Sequence, residues 1–278
     1  MDLIHVGAAL LSALLHAGWN AAVKASREPS RAMTAQMLIG AVLVVPGLAV
    51  TGLPARASWP WLVGSTLINV VTVRALLRAY AFGGFGIVYP MVRALAVLMV
   101  VPLAAAIAGD RIGSYALAGV IVIILSLAAL AYDATRGKAL SPKALGWTLA
   151  AGLGTAAYVL CDAQGVRAAG SPVAYGFAVS VANAAAMCWH QRHVGAPWRQ
   201  LDGQWLVAAP AALASMASYL LILWVWSNAP IAAASALRDT SAVFAILIAV
   251  IWLKEPFTPT RVIAVLLAAA AVPLLRLG

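Results

Sequence analysis

Apolar runs of about twenty residues alternate with short polar linkers along the whole chain. A helix needs about 20 apolar residues to cross the hydrocarbon core of a bilayer, so each run is long enough for one span. The runs are continuous, which favours helices over the alternating strands of a membrane barrel. The pattern predicts ten spans, at about 3–24, 32–50, 60–80, 86–108, 114–132, 144–163, 172–190, 204–226, 231–252 and 259–276.

The composition supports an integral membrane protein. Hydrophobic residues make up 64% of the chain and charged residues only 9%, whereas soluble domains are about one quarter charged. The net charge of +10 lies mostly in the linkers, where it indicates membrane topology and contact with lipid headgroups, not a nucleic-acid partner. Residues 3–23 are too long for a cleavable signal peptide, and we expect this first span to stay in the mature protein. Cys161 and Cys188 lie in apolar runs and are expected to be buried free thiols.

The linker at 133–143 divides five predicted spans from five. Because five is odd, two such halves must insert with opposite orientations, which is the inverted-repeat arrangement of many transporters. We therefore predict an all-α integral membrane protein in which ten transmembrane helices form two inverted five-helix repeats around a central cavity. The repeats are residues 1–137 and 138–278.

A duplicated segment supports this division. When Arg93 is placed on Arg238, an offset of 145, Asp110 falls on Glu255. Both segments then contain an arginine, sixteen mostly apolar residues and a carboxylate, followed at once by an apolar run. The two carboxylates lie at predicted helix ends, so we expect them to cap or pair there and not to bind substrate.

Basic residues in the linkers predict the orientation of the chain. Ten of these basic residues lie on the same side of the membrane as the linker at 133–143, and four lie on the opposite side. By the positive-inside rule the first side is cytoplasmic and both termini are outside.

Polar side chains within the first-half spans are candidates for a site because they are costly at membrane depth. His16, Trp19 and Asn20 lie on one face of the first span, where they can hold polar groups and stack against a substrate; hydrogen bonds between helices are the alternative. Arg74 and Arg78 share a face of the third span, and Arg74, the deeper of the two, is expected to face a partner or a cavity.

Tyr89 and Arg93 lie four residues apart in the fourth span and project together. An arginine here can pair with a substrate carboxylate in bidentate fashion. An ion pair with another helix is an equal alternative, and Asp162 and Asp239 are available for it.

In the second half, Tyr158 and Asp162 share a face of the sixth span. Asp162 is near the predicted end of that span, which favours a surface carboxylate or a pair with an arginine; if buried, it becomes a candidate ammonium binder or proton acceptor. Tyr219 lies on the polar stripe of the eighth span. Asn183 is alone in the seventh span and is expected to hold helices together.

The ninth span contains Ser235, Arg238 and Asp239. Ser235 and Asp239 share a face, whereas Arg238 points about 100° away. The two charged residues are therefore expected to have different neighbours.

Signals for catalysis are weak. His190 and His193 are three residues apart at a span end, with no cysteine or carboxylate at ligand spacing, so no metal is expected. The chain has no phosphate-binding loop and no nucleophile elbow, so neither ATP-driven transport nor hydrolysis is indicated. A membrane-embedded enzyme acting on lipid is a remote alternative.

Three stretches carry a resemblance to a known family: LLHAGWNAAVKAS at 14–26, YVLCDAQGVRAAGSPVAY at 158–175 and RDTSAVFAILIAVIWLKEP at 238–256. The chain resembles, over residues 3–277, the ten-helix EamA-type branch of the drug/metabolite transporter superfamily. The resemblance implies a cavity lined mainly by helices 1, 3, 4, 6, 8 and 9, and export of amino acids and other small metabolites. It also implies cytoplasmic termini, opposite to the basic-residue count.

The expected function is thus a secondary transporter that exports aromatic and other neutral amino acids, or related metabolites, across the bacterial inner membrane by alternating access. Proton-coupled efflux of cationic drugs, with Asp162 or Asp239 exchanging protons, is the alternative. We expect a small-molecule substrate, a surrounding bilayer, a monomer and no cofactor. The residues expected to bind substrate in the cavity are His16, Trp19, Asn20, Arg74, Tyr89, Arg93, Tyr158, Asp162, Tyr219, Ser235, Arg238 and Asp239.

Overall fold

The computed structural model describes residues 1–108, 113–136, 141–254 and 258–277. These residues are almost entirely helical, and short 3-10 segments occur at Arg56–Ser58 and Pro197–Leu201. The helices are α1 (Leu3–Ala25), α2 (Pro29–Thr51), α3 (Trp59–Phe82), α4 (Phe85–Ala108), α5 (Ser114–Arg136), α6 (Pro142–Ala168), α7 (Pro172–His190), α8 (Trp205–Asn228), α9 (Ile231–Asp239), α10 (Ser241–Ile251) and α11 (Pro259–Leu277).

The helices begin where the sequence provides start signals. Proline stands in the first turn of α2, α3, α6 and α7, where its missing N–H costs nothing. Ser141 and Ser171 cap α6 and α7, and their hydroxyls accept hydrogen bonds from the N–H groups of Ala144 and Ala174 at 3.1 and 3.3 Å.

Within the described residues, eight helical segments are long and apolar enough to cross a membrane. The last of these runs from Ile231 to Ile251 and combines α9 and α10. An all-helical protein with several membrane spans is therefore confirmed. The count of ten spans and the boundaries of the two repeats stay predictions.

The predicted ninth span is interrupted at Thr240. The Thr240 N–H donates to Leu237 O at 3.2 Å and its hydroxyl donates to the same oxygen at 2.7 Å. This three-residue turn ends α9 immediately after Arg238 and Asp239 and separates it from α10. The hydropathy pattern did not predict this break, because a polar stretch as short as Thr240 and Ser241 does not divide an otherwise apolar run.

Seven helices pack against one another in the interior: α1, α3, α4, α6, α8, α9 and α10. α1 packs on α8, α3 on α6, and α4 on both α6 and α9, while α10 packs on α1 and α4. α2 and α7 pack together, and α5 packs against α11. Close approach depends on small residues: a Cβ added at Gly152 of α6 would lie 2.6 Å from Leu95 Cβ of α4.

Candidate substrate cavity

A cavity of about 140 Å³ lies among the helices, with walls from α1, α2, α3, α4, α6, α7, α8 and α9. A single buried water needs about 15 Å³ on the same kind of measure, so this space holds more than one water. Nine residues that the sequence proposed for a site line it: His16, Trp19, Asn20, Tyr89, Arg93, Tyr158, Asp162, Tyr219 and Arg238.

Arg93 is held by an ion pair. Its Nη2 contacts Oδ1 of Asp239, and the two side chains are only 4% and 2% exposed. Asp239 does not line the cavity, so its carboxylate contacts Arg93 from outside the cavity. The sequence left two roles open for Arg93, which were binding a substrate carboxylate and forming an ion pair with another helix. The structure shows the ion pair, and the partner is Asp239 and not Asp162.

Arg238 has different partners from Asp239, as the helical geometry predicts. Its Nη2 lies 3.3 Å from Nδ1 of His16, and its guanidinium carbon lies 5.6 Å from the centre of the Trp226 ring. Because arginine only donates hydrogen bonds, Nδ1 of His16 must accept, which assigns the ring proton of a neutral imidazole to Nε2.

Asp162 is buried, which corrects the expectation of a surface carboxylate. α6 continues six residues beyond Asp162 to Ala168, so the side chain lies inside the helix bundle. Its Oδ2 accepts a hydrogen bond from the Tyr219 hydroxyl at 2.8 Å, and its Oδ1 accepts one from Tyr175 at 3.3 Å. No described arginine, lysine or histidine forms a salt bridge with this carboxylate.

Aromatic rings surround the His16 side of the cavity. The centres of the His16 and Trp19 rings are 5.1 Å apart in an edge-to-face arrangement, and those of His16 and Tyr89 are 6.2 Å apart. The Tyr89 hydroxyl donates to Ser241 Oγ at 3.0 Å, which fixes the ring against α10. These surfaces can stack against a flat or apolar group.

Several buried polar atoms on the cavity wall have no hydrogen-bond partner within the described residues. The donors are Nε1 of Trp19, Nε of Arg93, and both Nε and Nη1 of Arg238. The acceptors are the Oδ1 atoms of Asn20, Asn69 and Asn183. A buried polar atom without a partner costs about 1–3 kcal/mol, so a cluster of them around one space indicates a polar occupant.

Three proposed site residues lie elsewhere. Ser235 is buried and its Oγ accepts a hydrogen bond from Trp226 Nε1 at 3.1 Å. Asp239 pairs with Arg93. Arg74 lines a second cavity, described below. Their part in substrate binding stays a prediction, and Asp110 and Glu255 lie outside the described residues.

The cavity also includes two helices that the sequence reasoning left out. α2 contributes Gln36 and Gly40, and α7 contributes Ser180 and Asn183. Asn183, expected only to hold helices together, faces the cavity with an unpartnered oxygen. Gln36 and Asn183 are polar residues within apolar runs, and that signal was present in the sequence.

The apolar helices around a buried polar cavity define a multi-pass membrane protein. The sequence model of the EamA-like transporter family matches residues 142–277, from the start of α6 to the end of α11. This match confirms the resemblance to the drug/metabolite transporter superfamily for the residues that it covers.

A crystal structure of a protein is among 29 chains of solved structures that match this chain. It superposes with a TM-score of 0.72 over 99% of this chain and 97% of its own, at 18% sequence identity. At that identity the likeness concerns the fold alone. No curated protein matches the chain.

Proposed function

We propose that the protein is a secondary transporter that exports aromatic and other neutral amino acids, or closely related metabolites, across the bacterial inner membrane. The observation that carries the proposal is the set of unpartnered buried donors and acceptors around the central cavity. An amino acid has both an anionic and a cationic end and can satisfy both kinds of group, whereas a purely apolar substrate can satisfy neither.

The charged residues suit the two ends of such a substrate. Arg238 has two buried N–H positions without partners, which can donate to a carboxylate. Asp162 can accept from an ammonium group, since its present partners are neutral tyrosine hydroxyls. Arg93 is less available because Asp239 already neutralises it. Trp19 and Tyr158 provide surfaces for an apolar or aromatic side chain.

The packing of the helices supports alternating access by two inverted repeats. If helices five positions apart are equivalent, the contact of α1 with α8 has its counterpart in that of α3 with α6. In the same way, the contact of α2 with α8 corresponds to that of α3 with α7. The contact of α4 with α6 corresponds to that of α1 with the ninth predicted span, which consists of α9 and α10. Two halves related in this way can rock about a cavity between them.

Uptake into proteoliposomes tests the proposal. Purified protein is reconstituted, and the flux of labelled threonine, methionine and phenylalanine is compared with that of empty liposomes. Flux of at least one amino acid, reduced by Arg238→Gln, supports the proposal. Background flux for all three refutes the amino-acid version.

Proton-coupled efflux of cationic compounds is the second candidate, and the surroundings of Asp162 favour it over a role for Asp239. Asp162 is buried beside the cavity without a cationic partner among the described residues. Asp239 is occupied by Arg93. A cation flux driven by a pH gradient and abolished in Asp162→Asn supports this candidate. A cation flux that does not depend on the pH gradient contradicts this second candidate.

A further inference from the structure

A second cavity lies at the ends of α1, α3 and α7 and the start of α2, and its volume is about 590 Å³. Its charged lining is entirely basic: Lys24, Arg74 and Arg78, together with His190 and His193. No aspartate or glutamate among the described residues lines it. The guanidinium groups of Arg74 and Arg78 thus face one space, and no described acidic side chain forms a salt bridge with either of them.

The two arginines belong to this cavity by the geometry of α3. They are four residues apart and therefore lie on one face of the helix. Arg78 is about 6 Å and Arg74 about 12 Å from the helix end at Phe82, at 1.5 Å per residue. Like charges at this spacing destabilise a helix. Neither guanidinium forms a described hydrogen bond or salt bridge within the protein, and both residues are exposed to the cavity side.

Glu28 is the acidic residue nearest in sequence to Lys24, and it pairs with Arg31 outside the cavity lining. Glu28 precedes the lining residues Pro29 and Ser30, but its Oε2 accepts a hydrogen bond from Arg31 Nη1 at 2.7 Å. Lys24 is held against α3, where its Nζ donates to Tyr80 O at 2.5 Å. The positive charge of Lys24 is therefore fixed in place at the cavity wall.

The second cavity is distinct from the central one. An apolar cluster of Val23, Ala32, Met33, Val73 and Met187, with Leu77 packed against it, lies at the boundary. Met33 and Val73 line the central cavity, while Met187 and Leu77 line the basic one. A ligand in the basic cavity is consequently separated from Arg238 and Asp162 by apolar side chains.

We propose that this basic cavity binds a phosphate-bearing anion, either the headgroup of an anionic lipid or a free phosphate compound. Two guanidinium groups on one helix face match the oxygens of a phosphate, to which each can donate two parallel hydrogen bonds. Basic pockets between membrane helices suit anionic headgroups. Ser30 and Gln191 add a hydroxyl and an amide at the cavity wall, and their own hydrogen bond of 2.7 Å joins α2 to the end of α7.

The test measures binding and is independent of transport. The thermal unfolding midpoint of the full-length protein in neutral detergent is followed while sodium phosphate replaces sodium chloride at constant ionic strength. In parallel, phosphatidylglycerol is titrated against phosphatidylcholine. The expected result is a saturable rise of the midpoint with phosphate, with phosphatidylglycerol or with both. A response to lipid alone identifies a headgroup, and a response to phosphate identifies a free anion.

The double variant Arg74→Gln/Arg78→Gln should weaken the response about tenfold or more in apparent Kd, since charge-assisted hydrogen bonds contribute about 1.5–3 kcal/mol each. The charge-matched control Arg27→Gln/Arg56→Gln changes two exposed arginines outside the cavity and should respond like the unaltered protein. Should the double variant not be recovered folded, Arg78→Gln alone tests the same point. No response to either ligand, or an equal response in the cavity variant, overturns the proposal.

Discussion

Arg93 of α4 and Asp239 of α9 form a buried ion pair that joins the first half of the chain to the second. The predicted repeat places Arg93 and Arg238 in equivalent positions, yet their partners differ. Arg93 is neutralised by a carboxylate, whereas Arg238 contacts His16 and the Trp226 ring and keeps two N–H positions unpartnered. The two halves are therefore chemically unequal at the cavity, and Arg238 is the arginine available to an anionic group.

Breaking the ion pair should destabilise the protein strongly. Asp239→Asn leaves Arg93 buried without a counter-charge, and removing one member of a buried pair costs about 3–5 kcal/mol. Unfolding in detergent followed by tryptophan fluorescence measures the loss. The exposed carboxylate of Asp202 provides the control, and Asp202→Asn should change stability by less than about 0.5 kcal/mol.

The double variant Arg93→Met/Asp239→Asn tests whether the two charges depend on each other. It removes both charges together, so it should lose less stability than the sum of the two single variants. Additive losses would show that the pair contributes no coupling energy and would contradict its role as the link between α4 and α9.

Arg238→Gln should weaken binding of substrates that carry a free carboxylate. It removes the charged donors next to the cavity while Asp239 and Arg93 stay paired. Loss of one charge-assisted contact corresponds to about a tenfold or larger rise in Kd. Competition between labelled phenylalanine and its methyl ester separates the effect from general damage. Discrimination between acid and ester should disappear in the variant, and unchanged discrimination would exclude Arg238 as the carboxylate partner.

Asp162→Asn should abolish recognition of the ammonium end with little effect on folding, because asparagine can keep a hydrogen bond to the Tyr219 hydroxyl through its carbonyl oxygen. Tyr219→Phe removes the 2.8 Å hydrogen bond and keeps the carboxylate. We expect Tyr219→Phe to raise KM by about tenfold and Asp162→Asn to lower transport further. Equal flux in Asp162→Asn and the unaltered protein would remove Asp162 from the site.

Gly152→Ala should destabilise the contact between α6 and α4. The added Cβ would lie 2.6 Å from Leu95 Cβ, so one helix must shift. Overpacking of this kind costs about 1–3 kcal/mol. Gly146→Ala in the same helix is the matched control, because nothing lies within 4 Å of a Cβ there. If the two variants unfold at the same temperature, the close approach does not contribute to stability.

The sequence was sufficient for the helical membrane architecture because long apolar runs have one stable form in a bilayer. It also indicated most of the cavity, since buried polar side chains such as His16 and Asp162 are conspicuous in apolar runs. It could not determine partners. Whether Arg93 pairs with Asp162 or Asp239 depends on how α4, α6 and α9 pack, and spacing along the chain does not contain that information. The same holds for Arg74. Helix periodicity predicts on which face of α3 this residue lies, but it does not predict which cavity that face lines.

Cysteine labelling should determine the orientation of the chain, on which the basic-residue count and the family resemblance disagree. Ala57 and Val194 are exposed and lie in segments between helices. Following α3 and α7 from one end to the other places them on opposite faces of the helix bundle. Cys161 and Cys188 are first replaced by serine, and each exposed position is then changed to cysteine. The count predicts that a membrane-impermeant maleimide added to whole cells labels the cysteine at 57 and spares the one at 194, because the basic side should face the cytoplasm. The opposite pattern would show that both termini are cytoplasmic and that the charge bias does not set the topology.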